Sequence, residues 1–248
     1  MRGIVQDVRQ RYLGSVLGTA WVVVFPLLQL SIFATIYVVI FQIRVPGLTE
    51  LGYVLLVFSG LVPLLAFGEA LTASLNSLSS SKNVLLNNVF PAHLLSVRSV
   101  LAAQLPALVG LIVTLALGFG LGRTGWEAVI FVPIFWVLLM MFVIGLGWFI
   151  SLISLVARDL NHAIGLVVMV MFFMSPFAYT PEMVPGALKL IIYFNPMSDF
   201  VLSFQQLICY GNLPDPVAAT GATVLGLTSF CLGYMFFQRA KSVFLDHV

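Results

Sequence analysis

The stretch LKLIIYFNPMSDFVLSFQQLICYG, residues 188–211, is apolar enough for a membrane, but Asn195 and Pro196 divide it in two. Neither half has the roughly 20 helical residues needed to cross a hydrocarbon core. Proline ends a helix because it lacks a backbone donor, and the residue before it avoids helical angles. Broken helices survive at membrane depth only where protein or a water-filled cavity covers them. The stretch therefore predicts either a helical hairpin that dips into the membrane beside an opening, or an interfacial helix that anchors a loop.

The composition of the whole chain indicates a membrane protein. Its 248 residues are 61% hydrophobic and 8% charged, whereas a soluble domain has about 25% charged residues. Such a chain cannot solvate its own surface, and uncharged runs long enough to cross a bilayer recur along it. We therefore predict an all-α polytopic membrane protein that forms one transmembrane domain over residues 1–248. Its six predicted spans are residues 18–41, 53–75, 100–121, 128–156, 164–179 and 217–237.

The basic residues set the predicted orientation. Residues 1–17 combine Arg9 and Arg11 with an apolar helical face that ends at Tyr12, which predicts an amphipathic interface helix. Six spans place both termini on one side, and no cleavable signal peptide is visible. With cytoplasmic termini, eight lysines and arginines lie in inner segments and three in outer ones, as the positive-inside rule requires. The broken hairpin at 188–211 then lies on the outer side between spans five and six, and Glu182 and Asp199 are expected to be solvated outer charges.

The sequence carries no recognisable catalytic or metal-binding motif. It contains no HExxH, GxSxG or P-loop, its three histidines lie near predicted membrane edges, and Cys209 and Cys231 stand apart. We expect no metal, no nucleic acid partner and no enzyme activity, so the chain is either a channel or a subunit driven by a partner. Glu69 lies inside the second span. It is expected to be protonated or paired with a residue such as Arg11 or Arg98, or else to serve a substrate or a proton.

Several segments in a fixed order resemble one family of membrane proteins. They are RQRYLGSVLGTAW (9–21), NVLLNNVFPAHLLSV (83–97), ARDL (157–160), SPFAYTPEMVPG (175–186), NPMSDFVLSF (195–204) and FFQRAKSVFLDHV (236–248). In these segments the chain resembles the ABC-2 family of transporter membrane subunits. The most similar branch exports lipid-linked O-antigen, capsule or teichoic acid polysaccharides.

The resemblance implies an ATP-driven exporter in the bacterial cytoplasmic membrane. It implies a homodimer of this chain bound to two copies of a separate ABC ATPase subunit, with a lipid-linked polysaccharide as substrate and membrane lipid around it. ATP and Mg²⁺ would bind to the ATPase, and this chain would bind no cofactor. Two regions depart from the family pattern. Asn87, Asn88, Ala92 and His93 stand where basic residues are usual, and Gln205 stands where an arginine is common.

The segment at residues 83–96 resembles the family's coupling segment, which docks onto the ATPase. Apolar side chains there can act as knobs in a groove of the partner, and asparagines can add hydrogen bonds. The alternative is a loop that packs on its own spans. The residues expected to couple to the ATPase are Asn83, Leu85, Asn88, Phe90, Pro91 and His93, with Arg158 and Asp159 after the fourth span.

The first span carries a stripe that suits a sliding sugar polymer. Aromatic or polar side chains recur every four residues and wind by about 40° per step, and aromatic faces stack on the C–H surfaces of sugar rings. Ordinary helix packing is the alternative. The expected channel residues are Trp21, Phe25, Gln29, Phe33 and Tyr37, with Met174 in the fifth span. In that span Pro176 permits a kink and Ser175 can satisfy freed backbone groups. The expected exit-hairpin residues are Pro176, Tyr179, Asn195 and Pro196.

Three other functions are compatible with parts of the sequence. The first is a drug or antibiotic exporter of the same family. The second is an ATPase-independent channel or lipid carrier, which would depend on Glu69. The third is an intramembrane enzyme acting on lipid-linked sugars, for which Arg158, Asp159 and His162 form the single polar cluster in the sequence. Arg158 and Asp159 fit a helix boundary and docking site better.

Overall fold

The computed structural model describes residues 17–78, 91–157 and 159–245. In this part of the chain every regular element is helical. The α-helices are α1 Trp21–Ala34, α2 Glu50–Leu75, α3 His93–Ala103, α4 Leu105–Gly120, α5 Glu127–Val156, α6 Leu160–Met174, α7 Lys189–Phe194, α8 Pro196–Ile208 and α9 Pro216–Leu245. A 3-10 turn at Gly18–Ala20 precedes α1 and a π-helical turn at Thr35–Ile40 continues it.

Local sequence explains where several helices begin. Thr49 caps α2, because its side chain accepts a hydrogen bond from the Gly52 backbone N–H at 3.1 Å. Asp215 does the same for α9, accepting from the Val217 N–H at 3.1 Å. Proline follows at the first helical position of α8 and α9, where its missing N–H costs nothing.

The described residues contain four helices that are long and apolar enough to cross a membrane. They include Gly18–Ile40, Glu50–Leu75, Glu127–Val156 and Pro216–Lys241. The third predicted span, 100–121, is a pair of helices, α3 and α4, bent by 41° at Gln104. Counting that pair as one span gives five. Pro106 accounts for the break, since it cannot donate to the carbonyl four residues before it.

The fifth predicted span is shorter than expected. We predict residues 164–179 with a kink at Pro176, whereas the helix runs from Leu160 to Met174 and then ends. Ser175 adopts extended angles with ψ of 140°, as the residue before a proline prefers. At 1.5 Å per residue its 15 residues measure about 22 Å, less than a hydrocarbon core of about 30 Å.

The predicted break at Asn195 and Pro196 is present. Helix α7 ends at Phe194, and α8 begins at Pro196, with extended angles at Asn195 between them. Helix α8 is mostly buried against α2, α9 and α5. It belongs to the core of the fold rather than to its surface.

Among the described helices, α5 and α9 pack against each other most extensively. A Cβ atom on Gly145 would collide with the Ser229 carbonyl oxygen, and one on Gly233 would collide with the Gly145 carbonyl oxygen. A Cβ on Gly226 would lie 2.8 Å from the Leu138 carbonyl oxygen. Small residues let helix backbones approach in membrane proteins, where van der Waals packing drives association. The backbones of α5 and α9 are therefore in close contact at these three glycines.

We expect Gly145→Ala to destabilise the protein. The added methyl group must push α9 away from α5, and overpacking of this kind costs about 1–3 kcal/mol. The matched control is Gly165→Ala on α6, where a Cβ meets no described atom within 4 Å. The melting temperature in mild detergent should fall for Gly145→Ala and stay level or rise for Gly165→Ala. Equal melting temperatures for both variants would contradict the close approach.

Candidate functional site

An aromatic cluster joins α1 and the π-helical turn after it to α6 and the residues that follow α6. Phe33 lies 5.4 Å from Phe172 of α6 and 5.9 Å from Phe177, measured between ring centroids. Tyr37 lies 5.7 Å from both Phe177 and Phe41. Phe33 and Tyr37 also stack on each other at 6.4 Å. The second half of the predicted stripe therefore packs side by side with α6 and the residues after it.

The first half of the stripe faces a different neighbour. Phe25 and Gln29 line a shallow open cleft between α1, α2 and the start of α4. Glu69 of α2 lies half-buried in the same cleft, so one carboxyl and one amide meet there in apolar surroundings. Trp21 and Met174 are partly exposed. The structure thus divides the predicted channel residues between a cleft and an aromatic cluster.

Asn195 forms a joint between the end of α6 and the start of α8. Its side-chain Oδ1 accepts from the Met197 N–H at 3.0 Å, which caps α8. Its Nδ2 donates to Ser175 Oγ at 2.8 Å and to the Met171 carbonyl at 3.2 Å. Ser175 Oγ also donates to the Met171 carbonyl at 2.6 Å, as predicted from its position before Pro176. Asn195 is 1% exposed, so this joint is buried inside the protein.

The non-helical residues after α6 have their carbonyl groups satisfied by side chains. Gln205 of α8 donates to the carbonyls of Pro176 at 3.0 Å and Phe177 at 3.1 Å. Tyr53 of α2 donates to the Ala178 carbonyl at 2.8 Å. Irregular backbone at membrane depth requires such partners, because no water replaces them.

The sequence alone does not predict either of these two partners. Tyr53 and Gln205 lie 125 and 28 residues from the carbonyls that they bind, so no local pattern marks them. Gln205 is 3% exposed and faces the protein interior. The amide therefore has a structural task at the position where the resembling family often has an arginine.

Tyr179 and Pro176 also lie where the predicted exit is. The Tyr179 hydroxyl donates to the Met174 carbonyl at 3.1 Å, the last residue of α6. Pro176 supplies one of the three carbonyls to which Gln205 donates, the others being those of Phe177 and Leu56. Together with Asn195 and Pro196, they form one hydrogen-bonded turn between α6 and α8.

Asp199 differs from the expectation of a solvated charge. It is half-buried on α8, and its carboxyl packs against Gly221 of α9. Burial raises the pKa of Asp199 from 3.8 to about 6. A carboxylate loses hydration when buried, which disfavours its charged form. The hairpin therefore carries a carboxyl that is partly protonated in mildly acidic surroundings.

The predicted coupling residues are only partly within the described chain. Asn83, Leu85, Asn88 and Phe90 lie outside the described residues, as do Arg158 and the interface-helix residues Arg9, Arg11 and Tyr12. Pro91 is exposed just before α3, and His93 is its first residue. The predicted coupling segment 83–96 thus overlaps the first turn of α3. Asp159 is exposed at the start of α6.

His93 is held from two sides. Its backbone carbonyl accepts from Trp148 Nε1 of α5 at 2.9 Å. Its ring meets Tyr234 and Phe237 of α9 edge-on at 5.9 Å and 6.4 Å. Among the described residues, no group of three histidine, cysteine or carboxylate side chains could hold a metal ion. The chemistry within the described chain is that of packing, hydrogen bonding and aromatic contact.

Comparison with known proteins assigns a family to this arrangement. The profile of the ABC-2 type transporter family matches residues 3–208. An O-antigen export system permease protein RfbA from Klebsiella pneumoniae is 28% identical over 245 residues, which cover 97% of this chain and 91% of that protein. A second from the same species is 28% identical over 84% of this chain and 79% of its own length. One from Myxococcus xanthus is 22% identical over 98% of this chain and 92% of its own length.

Proposed function

The chain belongs to the ABC-2 type transporter family, and from that premise we propose that it exports a lipid-linked polysaccharide of the O-antigen kind. It is a transporter membrane subunit rather than an enzyme, and the ATPase is a separate subunit. In the proposed complex two copies of this chain bind two ABC ATPase subunits. ATP and Mg²⁺ bind to the ATPase.

The similarity to O-antigen export permeases along almost the whole chain carries this proposal. It favours a polysaccharide over a drug or antibiotic. The cluster of Phe33, Tyr37, Phe172 and Phe177 agrees with it. Aromatic faces can stack on successive sugar rings without depending on one residue type, which suits a polymer that slides.

We propose six spans with both termini in the cytoplasm of a bacterial cell. The bent pair α3 and α4 counts as one span, and the short helix α6 as another. In this arrangement the chain spans the bacterial cytoplasmic membrane, and the turn between α6 and α8 lies at the outer side of that membrane. The apolar side chains that α1 and α6 expose, such as Ile32 and Phe173, face lipid or the second copy.

The proposed path runs along the first and fifth spans. The lipid head and first sugars enter between α1 and α6 near the cytoplasmic side. ATP binding closes the ATPase pair, the coupling segment transmits the motion, and the glycan advances past the stripe on α1. The turn built by Pro176, Tyr179, Asn195 and Pro196 covers the exit and positions the lipid for release. Trp21, Phe25, Gln29 and Met174 contact the moving substrate.

Purification of the chain from its native membrane in mild detergent tests the motor. We expect an ABC ATPase with Walker motifs to copurify in equal amounts, because this chain contains no P-loop. Inactivating that ATPase should stop export of the surface polysaccharide. A clean oligomer of this chain alone, active without nucleotide, would contradict the proposal. It would favour a channel or lipid carrier, for which Glu69 in the α1–α2–α4 cleft is the first residue to substitute.

A further inference from the structure

The described residues on either side of 79–90, at the end of α2 and the start of α3, contact the same short stretch of α5. The end of α2 and the start of α3 flank residues 79–90, which lie outside the described chain. On α5, Trp148 and Ser151 contact α3, and Ser154 contacts the end of α2. These three residues are spaced three apart, so they occupy one broad face of the helix over two turns.

The contacts on that face are directional hydrogen bonds. Ser96 Oγ of α3 donates to Ser151 Oγ at 3.0 Å. Ser154 Oγ donates to the Leu75 carbonyl at 2.8 Å. Trp148 Nε1 donates to the His93 carbonyl at 2.9 Å. Hydrogen bonds depend strongly on distance and angle. Each of these bonds therefore forms at one relative position of its two helices along their axes.

The two flanks are also bound to each other. Ser77 Oγ and Ser96 Oγ lie 3.1 Å apart, within hydrogen-bonding distance, and Ser77 Oγ also donates to the Ser74 carbonyl at 2.7 Å. Ser77, Ser96 and Ser151 are each at most 1% exposed. Buried hydroxyls without partners are costly. Here Ser77 and Ser151 also donate to carbonyls of their own turns, those of Ser74 and Trp148, so each of the three hydroxyls has a partner. We call this set of Ser77, Ser96, Ser151, Ser154 and Trp148 the hydroxyl base.

Close backbone packing holds α5 against the hydroxyl base. A Cβ on Gly147 would lie 2.5 Å from Ser74 Oγ and 3.2 Å from Ser74 Cβ. A side chain at Gly147 would therefore displace the Ser74 side chain of α2. The base is therefore built by three helices, α2, α3 and α5, which cannot separate without breaking several contacts.

From the base, a continuous set of contacts leads to the exit hairpin. Helix α5 is joined to α9 by the approach of Gly145 to Ser229 and Gly233. Further along α5, Phe142 stacks on Phe200 of α8 at 5.6 Å, and Trp136 meets Phe204 at 6.1 Å. Helices α5, α8 and α9 thus form one frame, while α6 packs on α2 and α5, and α1 packs on α2 and α4.

We propose that the hydroxyl base transmits the stroke of the ATPase partner from the coupling segment into α5, and through α5 and α9 to the exit hairpin. Ser96, Ser151 and Trp148 are positioning residues in this account, since they touch neither substrate nor nucleotide. The inference rests on the proposed function, because it requires an ATPase that drives the chain.

The test compares Ser96→Ala with Ser59→Ala in the complex of this chain with its ATPase. Ser59 is a matched control, since it is 0% exposed and its Oγ donates only within α2, to the Leu56 carbonyl at 2.9 Å. Three quantities are measured: ATPase copurified per chain, ATP hydrolysis by the complex, and surface polysaccharide in the native host. For Ser96→Ala we expect normal assembly and hydrolysis with export reduced roughly fivefold to tenfold, the scale of one buried hydrogen bond.

Two further variants separate transmission from folding. Ser96→Cys keeps a weak donor of similar size and should restore part of the export. Ser96→Ala with Ser151→Ala should export no worse than Ser96→Ala alone, because the single variant has already lost the bond between the two hydroxyls. If Ser96→Ala fails to assemble, export per assembled complex is compared for Trp148→Phe, which keeps an aromatic ring but loses the Nε1 donor together with part of the indole volume.

The outcomes distinguish the inference from the function on which it rests. A wild-type chain with no ATPase partner removes the proposed function itself. A wild-type chain that couples normally, with Ser96→Ala and Trp148→Phe exporting as well as Ser59→Ala, overturns the hydroxyl base alone. Equal losses of assembly, hydrolysis and export in both variants also overturn it, because they indicate a structural role only.

Discussion

Replacing Asn195 with leucine is expected to destabilise the fold more than any other single change at the exit turn. Leucine has a similar volume but no polar atoms, so Met197 N–H loses its cap and Ser175 Oγ loses a donor. Loss of a helix cap costs about 1 kcal/mol, and an unsatisfied buried group adds about 1–3 kcal/mol. The sum, about 2–4 kcal/mol, is a large share of a typical stability of 5–15 kcal/mol.

The melting temperature and the yield of monodisperse protein measure this loss. Asn195→Asp keeps the acceptor for Met197 N–H but loses the two Nδ2 donors, so it should fall between wild type and leucine. Asn212→Leu is the control at an exposed loop position and should melt as wild type does. A melting temperature of Asn195→Leu equal to that of Asn212→Leu would show that the joint contributes nothing.

The features that could be predicted from the sequence are those set by neighbouring residues. Long apolar runs place the helices, because the hydrocarbon thickness fixes how many residues a span needs. The break before Pro196 and the bond from Ser175 to Met171 also follow from local chemistry. In each case the cause lies within a few residues of the effect.

The features that could not be predicted depend on residues far apart in the chain. Gln205 binds the Phe177 carbonyl across 28 residues, and Ser96 binds Ser151 across 55. A serine or glutamine in an apolar run shows only that it needs a partner. Which partner it finds depends on how the helices pack. For the same reason Asp199, expected in water, is half-buried against Gly221 of α9.

The end of α6 illustrates how a correct local rule can give a different structure. A proline inside a span allows either a kink or an end. We predict a kink at Pro176, which would require Phe177, Ala178 and Tyr179 to continue the helix. Instead, Tyr53 donates to the Ala178 carbonyl, and Gln205 donates to the carbonyls of Pro176 and Phe177. Their distant side chains stabilise an extended turn where water could not.

Replacing both Phe33 and Tyr37 with leucine is expected to reduce export roughly tenfold or more. Each aromatic contact is worth about 0.5–1.5 kcal/mol beyond its buried area, and leucine keeps bulk but has no aromatic face. Both rings lie beside Phe172 and Phe177, where α1 and α6 meet the exit turn. If sugar rings pass between these side chains, the loss of the aromatic faces reduces export. The measurement is the amount and chain length of surface polysaccharide in the native host.

The same two rings could serve packing alone, and a second aromatic pair separates the two roles. Phe67 stacks on Phe142 at 6.0 Å between α2 and α5, and it is 2% exposed. Phe67→Leu should lower the melting temperature and leave export per folded complex unchanged. The double variant Phe33→Leu with Tyr37→Leu should reduce export per folded complex and leave the melting temperature unchanged. The reason is that these two rings are only half-buried. Normal export in alanine variants of Trp21, Phe33 and Tyr37 would remove the stacking path, and the α1–α2–α4 cleft with Gln29 and Glu69 would become the route to examine.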